Sequence, residues 1–364
     1  MQKGLIHGTT ASLELKDKIR SWCQELGFDA VGVVSAEDDF TLPRQRLESW
    51  LGKGYQGSMS FMRRHQALRS HPAKLMPSVR SIIVVRMQYI QTRPANEPYP
   101  VGDAGRAHFA HNLSQQANIA RYALGADYHR LMRKRLQRLG QRISDYGRSL
   151  QQRPFVDSAP VMEVELAQRA GLGWRGKHTL LLSREAGSWF FLGSLFTSLD
   201  LVADLPSTDH CGTCRTCLDI CPTQALVAPY ALDARKCISY LTIEHKDPID
   251  PALRPAIGNR VYGCDDCQLL CPWNRDPPTT REEAFQVRHG LDTQSILALW
   301  AWDPPTFNHR LQGSAIYRIG WAQWMRNLAI GLGNAAYSPT IIDCLLYTSP
   351  SPRDRTRSRM PSSA

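Results

Sequence analysis

The sequence has no long apolar run and no N-terminal segment in which positive charge precedes an apolar stretch. Its longest apolar runs, such as the one within residues 81–85, fall far short of the ~18 residues that a membrane-spanning helix needs. Neither a membrane span nor a secretion signal is therefore predicted. Ten cysteines in 364 residues are too few for a secreted disulfide scaffold. A content of 43% hydrophobic and 21% charged residues excludes general disorder.

Acidic residues are also in short supply, because 33 Asp and Glu face 44 Lys and Arg, a formal net charge of +11. Such an excess suggests a polyanionic partner, although solubility alone could explain it. Residues 344–364 are dominated by Ser, Pro and Arg and carry four Arg and one Asp, which leaves +8 on the remainder. We interpret this tail, with Cys344, as foreign to the native sequence, and a disordered basic tail is the alternative.

Apolar spacing predicts a mixed arrangement of helices and strands over residues 1–200. A helix capped by Ser12, strands over 28–34 and 81–87, a loop over 92–110 and a long amphipathic helix from Tyr128 to Leu150 are expected. Beyond residue 286 the pattern is helical again, with a helix ending at Asn334 and another opening at Pro339. One helical pair suits the start of a solenoid but cannot prove a repeat.

Most of the cysteines fall in two sets. The first, within 211–222, matches C-x2-C-x2-C-x3-C-P, and the second combines Cys237 with a similar run within 264–272. This spacing lets three thiolates of one loop face one iron–sulfur cubane, while the fourth ligates the other cluster. Two [4Fe–4S] clusters are therefore predicted, with the ligands Cys211, Cys214, Cys217 and Cys271 for the first and Cys221, Cys237, Cys264 and Cys267 for the second.

Other uses of these cysteines fit less well. Zinc favours groups of four ligands such as paired C-x2-C, and disulfides are disfavoured by the tight spacing and by the missing signal. Cys23 lies on an apolar helical face and is expected in the core. Because two clusters alone would need only about sixty to eighty residues, some 200 preceding residues suggest that the clusters feed a redox centre there.

The nature of that centre does not follow from composition. Residues 171–176 match G-x-G-x-x-G, but a helix precedes them, so a nicotinamide or flavin site remains an alternative rather than the favoured interpretation. The glycines more simply let the backbone approach a bulky, flat group.

Four stretches carry a resemblance to a known family. They are residues 121–129 (RYALGADYH), 156–160 (VDSAP), 170–181 (AGLGWRGKHTLL) and 237–244 (CISYLTIE), in the same order as the two cysteine sets. Together they resemble epoxyqueuosine reductases over roughly residues 12–343. The family resembles reductive dehalogenases in design, with a cobalamin domain joined to a two-cluster ferredoxin domain.

The resemblance implies an α+β fold with four parts. They are a nitroreductase-like α/β cobalamin-binding catalytic domain (1–200), a ferredoxin-like two-cluster domain (201–285), the start of a HEAT-like helical repeat that is cut short (286–343) and the tail (344–364). It also implies a cytoplasmic enzyme, expected to be a monomer, that reduces epoxyqueuosine at the wobble position of tRNA to queuosine. Cobalamin, two [4Fe–4S] clusters and an external low-potential electron donor are the implied cofactors and redox partner.

The resemblance further assigns site residues. Asp157 matches the family's acid and would donate a proton to the leaving oxygen, provided that burial raises its pKa; otherwise it is a turn or cap residue. Arg80, Ser183, Ser239 and Asp265 would contact the corrin, and each has a purely structural alternative. No histidine is assigned as a cobalt ligand.

Several basic residues on one face of the long helix are candidates for contacts with tRNA, although an ordinary solvated face is equally compatible. They are Arg130, Arg133, Lys134, Arg135 and Arg138, and Arg142 lies on the same face. Two other functions stay open: a related cobalamin reductase of a small molecule, such as a dehalogenase, and a ferredoxin-type electron carrier. Bound cobalamin would exclude the carrier, and salt-sensitive tRNA binding would favour the tRNA enzyme.

Overall fold

The computed structural model of the chain describes residues 3–91, 116–146, 150–336 and 338–348. The predicted loop over 92–110 therefore lies outside the described residues. The first half forms one antiparallel sheet flanked by helices. Its helices are α1 (Lys3–Glu25), α2 (Thr41–Gly52), α3 (Ser60–Arg64), α4 (Gln66–Arg69), α5 (Pro72–Leu75), α6 (Tyr128–Asp145) and α7 (Glu163–Arg169).

The strands of the chain are β1 (Ala30–Ser35), β2 (Ser81–Gln88), β3 (Asn118–Ile119), β4 (Gln152–Phe155), β5 (Trp174–Arg175), β6 (Leu181–Leu182), β7 (Phe190–Thr197), β8 (Leu226–Ala228), β9 (Ala231–Leu232) and β10 (Arg260–Tyr262). The main sheet has the order β1-β2-β7-β4, and every neighbouring pair is antiparallel. All eight residues of β2 are buried, because helices cover both faces of the sheet. A run of β-branched residues suits a strand packed on both sides.

Alternate residues of β2 enter two different cores. Ile83 and Val85 pack with α1 and α6, whereas Ile82 and Val84 pack with α7 on the opposite face. The period of two in a strand accounts for this division. The sheet is thereby fixed between two helical layers, and the loops lie at its two ends.

The first helix is longer than predicted. It begins at Lys3, so Ser12 lies within the helix and does not cap it. The Ser12 hydroxyl instead accepts a hydrogen bond from the backbone N–H of Val202. Cys23 is 1% exposed in the core, as its apolar face predicted.

The second half consists of short elements around the cysteines, followed by longer helices. They are α8 (Thr216–Ile220), α9 (Ile238–Ile243), α10 (Arg254–Ile257), α11 (Asp266–Leu269), α12 (Ile296–Trp300), α13 (Pro304–Leu311), α14 (Gly320–Asn334) and α15 (Pro339–Thr348). The predicted end at Asn334 and start at Pro339 are confirmed. The helix α15 runs to Thr348, so the first residues of the suspected tail are helical.

The regions that are separate in sequence share a hydrophobic core in the folded chain. Residues Ala117 to Leu124 precede α6, yet their apolar side chains pack in the same core as α12, α13 and α14. The strand β3 pairs in parallel with β10, which immediately precedes the last cysteine set. The predicted boundaries stay predictions, but the helical region includes a segment from the first half. In the described part of the chain, no helix is both long and apolar enough to cross a membrane.

We expect the Asn327→Leu variant to be less stable. Asn327 is 1% exposed on α14, and its amide donates to the carbonyl oxygens of Thr242 and Val261, each at 2.8 Å. Leucine would leave both buried acceptors without this donor, at a cost of about 1–3 kcal/mol. Calorimetric melting checks this, with Ala322→Gln on the exposed face of the same helix as the control. Equal melting temperatures for the two variants would contradict it.

Candidate active site and cluster region

The two cysteine sets lie on short helices that touch each other. Cys217 is within α8 and Cys221 ends it, while Cys267 is within α11. The two helices pack together. Cys237 lies at the start of α9, and Cys271 directly precedes a turn of 3-10 helix. The fold thus brings the cysteines of residues 211–221 beside those of residues 264–271.

The thiols that raise one another's pKa show which cysteines are neighbours. Burial raises the pKa of Cys271 to about 12, with smaller contributions from three thiols of the first motif, Cys217, Cys211 and Cys214. Burial likewise raises the pKa of Cys237, and its thiol neighbour is Cys221. For Cys267, burial is again the main cause of a raised pKa, and both Cys237 and Cys217 add to it. Thiols of the two motifs are thus neighbours, and the division into two ligand sets stays a prediction.

The thiols do not converge on a single point. In the described part of the chain, no three His, Cys, Asp or Glu side chains are close enough to hold one metal ion. A cubane differs from a single ion because each of its four irons takes one thiolate, so its ligands stand apart. Lys177 fixes the first loop from outside, since its Nζ donates to the carbonyl oxygens of Gly212 and Cys214 at 2.6 and 2.8 Å.

Two carboxylates lie between Cys264 and Cys267, and both are buried. Asp266 forms a buried ion pair with Arg260, with an Oδ2–Nη2 distance of 2.5 Å. Asp265 accepts the backbone N–H of Arg121 at 2.7 Å and a hydrogen bond from the Gln268 amide. Burial raises the pKa of Asp265 to about 6. Its carboxylate therefore ties the cluster loop to the segment that leads into α6.

Asp157 follows β4 in a loop at the side of the sheet. Its φ of +48° is uncommon for a residue with a side chain. The side chain is 55% exposed. Its Oδ2 accepts hydrogen bonds from the hydroxyl of Tyr128 at 2.5 Å and from Nε2 of His129 at 2.9 Å. Asp157 thus presents a carboxylate to solvent while two neighbours on α6 hold it.

His129 lies between two carboxylates. Nδ1 is 2.6 Å from Oδ1 of Asp127, and Nε2 is 2.9 Å from Oδ2 of Asp157. Both ring nitrogens must donate, so the geometry favours the imidazolium. Partial burial opposes this charge, but the hydrogen bonds to Asp127 and Asp157 raise the pKa of His129 to about 9.

The expectation of a raised pKa for Asp157 is wrong in this geometry. Partial burial acts in that direction, but the hydrogen bonds from His129 and Tyr128, together with the charges of His129 and Arg318, hold the pKa below its ordinary value. The carboxyl group with a raised pKa is that of Glu163, at about 8, through burial and then the charge of Asp157. Glu163 Oε1 accepts the backbone N–H of Asp157 at 2.8 Å.

No role for Tyr128, His129 or Glu163 follows from the sequence alone. Tyr128 and His129 begin α6, which Asp127 caps by accepting the backbone N–H of His129. Glu163 lies in the first turn of α7. The available signal was the Asp-Tyr-His run at 127–129, whose partners only tertiary structure reveals.

Two predicted corrin contacts, Ser183 and Asp265, lie where the sheet meets the cluster region. Ser183 donates to Glu185 at 2.5 Å in the loop whose Gly187 abuts Asn274. In the same segment Ser188 donates to Gln268, whose amide donates to Asp265. The third predicted contact, Ser239, is half-buried on α9 beside Tyr240, whose hydroxyl accepts the backbone N–H of Ser58.

Arg80 does not join them. It precedes β2, at the opposite end of the strand from Gln88, and lies about 26 Å from Gln88 along the strand at ~3.3 Å per residue. Its guanidinium is 3.2 Å from Asp200 and 3.9 Å from Glu37, in exposed ion pairs. The structural alternative for Arg80 fits this position.

The glycine-rich turn packs against the chain itself. A Cβ on Gly173 would lie 2.0 Å from the carbonyl oxygen of Leu182, and one on Gly171 would lie 2.8 Å from that of Leu205. These two glycines therefore allow close backbone packing beside the first cysteine loop, which differs from the predicted approach to a bulky ligand.

The basic face of α6 is partly neutralised by neighbouring acids. Arg135 pairs with Glu282, and Arg142 pairs with Glu25 at 2.6 Å. Arg133 is exposed, and its guanidinium is 3.4 Å from the Ser158 hydroxyl, next to Asp157. The remaining exposed bases of this face are Arg130, Lys134 and Arg138.

Comparison with known proteins agrees with both parts of this region. Residues 210–274 match the family model described as a 4Fe-4S double cluster binding domain, and residues 69–158 match that of epoxyqueuosine reductase QueG. The epoxyqueuosine reductases of Vibrio cholerae and Escherichia coli K12 are each 48% identical over 334 residues. The match spans 91% of this chain and 86% and 84% of theirs. The chain belongs to the epoxyqueuosine reductase family.

Solved structures of the family agree in fold. A crystal structure of an epoxyqueuosine reductase with an epoxyqueuosine-modified tRNA-Tyr stem loop has a TM-score of 0.78 at 26% identity. A Bacillus subtilis enzyme whose catalytic loop is swung out of the active site gives the same values. Each match covers 89% of this chain and 82% of the other.

Family membership confirms the predicted α+β fold, the oxidoreductase activity and a domain that binds two [4Fe–4S] clusters. Cobalamin stays the cofactor that the resemblance implies. It favours the epoxyqueuosine reductase over a dehalogenase-like reductase and over an electron carrier. The Asp157 site and the cluster region are therefore parts of one reductase.

The histidine in the Asp157 site should remain charged at neutral pH. We expect the ring nitrogens of ¹⁵N-labelled His129 to titrate near pH 9 rather than at the ordinary 6.5. Because the folded pKa is raised, its stabilising contribution is complete below pH 6.5 and is lost as pH rises through 9. The stability difference between the native protein and His129→Gln should shrink over that range. Titration near pH 6.5 in the native protein would contradict an imidazolium that is hydrogen-bonded to both carboxylates.

Proposed function

We propose that this protein reduces epoxyqueuosine at the wobble position of tRNA to queuosine, with Asp157 delivering a proton to the departing epoxide oxygen. The observation that carries the proposal is the Asp157 carboxylate itself, which faces solvent and is hydrogen-bonded to an imidazolium. Loss of the epoxide oxygen as water consumes two electrons and two protons and leaves an alkene. The site must therefore supply protons as well as electrons.

The proton route follows from the pKa values. Asp157 is ionised at neutral pH and must receive a proton before it can donate one. His129 Nε2 lies 2.9 Å from Oδ2 of Asp157. Of the two donors to this oxygen, His129 releases its proton more readily, because burial raises the pKa of Tyr128 far above its ordinary value. Transfer from His129 to Asp157, and from Asp157 to the leaving oxygen, supplies one of the two protons. Tyr128 holds the same carboxylate oxygen and limits its motion.

Electrons arrive through the cysteine region. Cys211, Cys214, Cys217 and Cys271 would hold one [4Fe–4S] cluster, and Cys221, Cys237, Cys264 and Cys267 the other. When bound, the clusters carry single electrons and cobalamin supplies strongly reducing cobalt. The residues present fit these clusters, because the packing of α8 against α11 brings thiols of the two motifs close together.

Cobalamin would be held at the junction of the sheet and the cluster region. Ser183 and Asp265 at this junction, and Ser239 on α9, would meet its amide side chains. Arg80 is a weaker candidate because it lies at the far end of the sheet.

The substrate and the remaining partners follow from charge and family. A related enzyme has been crystallised with an epoxyqueuosine-modified tRNA stem loop. The exposed bases Arg130, Arg133, Lys134 and Arg138 would contact RNA phosphates. We propose that the enzyme works in the cytoplasm as a monomer, and that it takes electrons from an external low-potential donor.

The Asp157→Asn variant should lose at least a hundredfold in rate, because general acid catalysis typically contributes 10²–10⁴-fold. The assay is anaerobic turnover of epoxyqueuosine tRNA with added cobalamin and a strong reductant, followed by nucleoside analysis. Asp145→Asn at the end of α6 is the matched control and should retain activity. A normal rate for Asp157→Asn would remove Asp157 from the mechanism, and absence of product from the native protein would defeat the proposed function.

The predicted crossover between motifs can be tested directly. Cys271→Ser should remove the first cluster, and Cys221→Ser the second, so each variant should keep about half of the native iron and one set of reduced-cluster signals. Cys23→Ser, a buried cysteine outside the motifs, should keep both clusters. Iron analysis and electron paramagnetic resonance (EPR) check this. Loss of the same cluster in both variants would contradict the crossover.

A further inference from the structure

A short hairpin packs against the first cysteine loop. It consists of β5 and β6, in which Trp174 pairs with Leu182. Lys177, in its turn, donates to the carbonyl oxygens of Gly212 and Cys214. The hairpin is therefore fixed to the loop that carries three proposed ligands of the first cluster, and its side chains face that loop at a defined position.

Trp174 packs directly against two of the proposed ligands. It is 2% exposed and packs in one cluster with Cys271, Leu182 and, at the edge, Cys211 and Trp273. Two rings, of Trp273 and His210, meet the indole edge to face, with centroids 5.0 and 4.9 Å away. The indole N–H is the only polar group of this side chain, and neither ring contact gives it an acceptor.

That N–H is buried and has no hydrogen-bond acceptor among the described residues. A buried donor without an acceptor costs about 1–3 kcal/mol. An indole can only donate, so an acceptor must be available if this cost is to be avoided. The acceptors beside it would be sulfur atoms, those of the thiolates of Cys211 and Cys271 and of the sulfides of the cluster that they would hold.

We propose that Nε1–H of Trp174 donates a hydrogen bond to a sulfur of the first [4Fe–4S] cluster and thereby raises its reduction potential. This rests on the ligand set proposed above. The step is a one-electron reduction of the oxidised cluster by the external donor, in which no covalent bond breaks and no proton moves. The added electron increases the negative charge on the sulfurs, so the hydrogen bond stabilises the reduced cluster more than the oxidised one.

A second buried indole provides the control. Nε1 of Trp324 also lacks an acceptor among the described residues. It lies in the helical core beside Trp302 and Phe307, away from the proposed ligands. Trp324→Phe therefore removes a comparable N–H without touching the cluster environment, and it reports the general effect of altering a buried tryptophan.

The test is an EPR-monitored redox titration of Trp174→Phe, with both clusters assembled. Phenylalanine keeps an aromatic ring but removes the donor. We expect the equilibrium constant for reduction of the first cluster to fall about tenfold, a negative shift of about 59 mV for a one-electron couple. The potential of the second cluster, and both potentials in Trp324→Phe, should not change. An unchanged first-cluster potential in Trp174→Phe would overturn the proposal.

A second measurement applies if Trp174→Phe fails to assemble its clusters. Protein with ¹⁵N-labelled indoles, carrying Trp273→Phe to remove the neighbouring indole, should show a ¹⁵N coupling to the reduced first cluster in pulsed EPR. Absence of this coupling in protein that contains both clusters would refute the hydrogen bond. A missing first cluster in native protein would instead refute the ligand set, so the two failures are distinguishable.

Discussion

The relation between the cluster region and the sheet depends on a buried polar seam. Asn274, which is 0% exposed, accepts the backbone N–H of Ser188 and donates to the Ser188 hydroxyl and to the carbonyl oxygen of Gln268. The Ser188 hydroxyl also donates to the Gln268 side chain. Asp265 extends the seam to the backbone of Arg121. Networks in which each member has its partners specify a unique packing, because any displacement leaves a buried group unsatisfied.

The same principle joins the helical region to the clusters. Gln323 and Asn327 on α14 donate to carbonyl oxygens of Thr242 and Ile243 and of Thr242 and Val261, respectively. Arg326 donates to three more carbonyl oxygens, of Leu241, His245 and Asp247. Leu241, Thr242 and Ile243 form the last turn of α9, where carbonyl oxygens have no partner within the helix, so these acceptors need donors from elsewhere. The helical region therefore stabilises the cluster loop as well as extending the surface.

Local patterns in the sequence account for much of this protein, but not for contacts between distant segments. The cysteine spacing identified two clusters because their ligands are set within short loops. Alternating apolar residues identified β2, and the 3.6-residue period identified α6. The partners of Asp157 were missed because Glu163 and His129 approach it from two different helices. The neutralisation of Arg135 and Arg142 likewise depends on ion pairs with Glu282 and Glu25, which are distant in sequence.

The backbone at Asp157 shows why the acid needs several partners. A non-glycine residue with φ of +48° adopts a sparsely populated conformation, and such strain persists only when surrounding contacts hold it. Here Glu163 holds the Asp157 N–H, while Tyr128 and His129 hold the carboxylate. The same contacts that impose the strain also ionise the carboxylate. An acid held in this way gains a fixed position but loses its own proton, and a neighbouring imidazolium is the group that can return it.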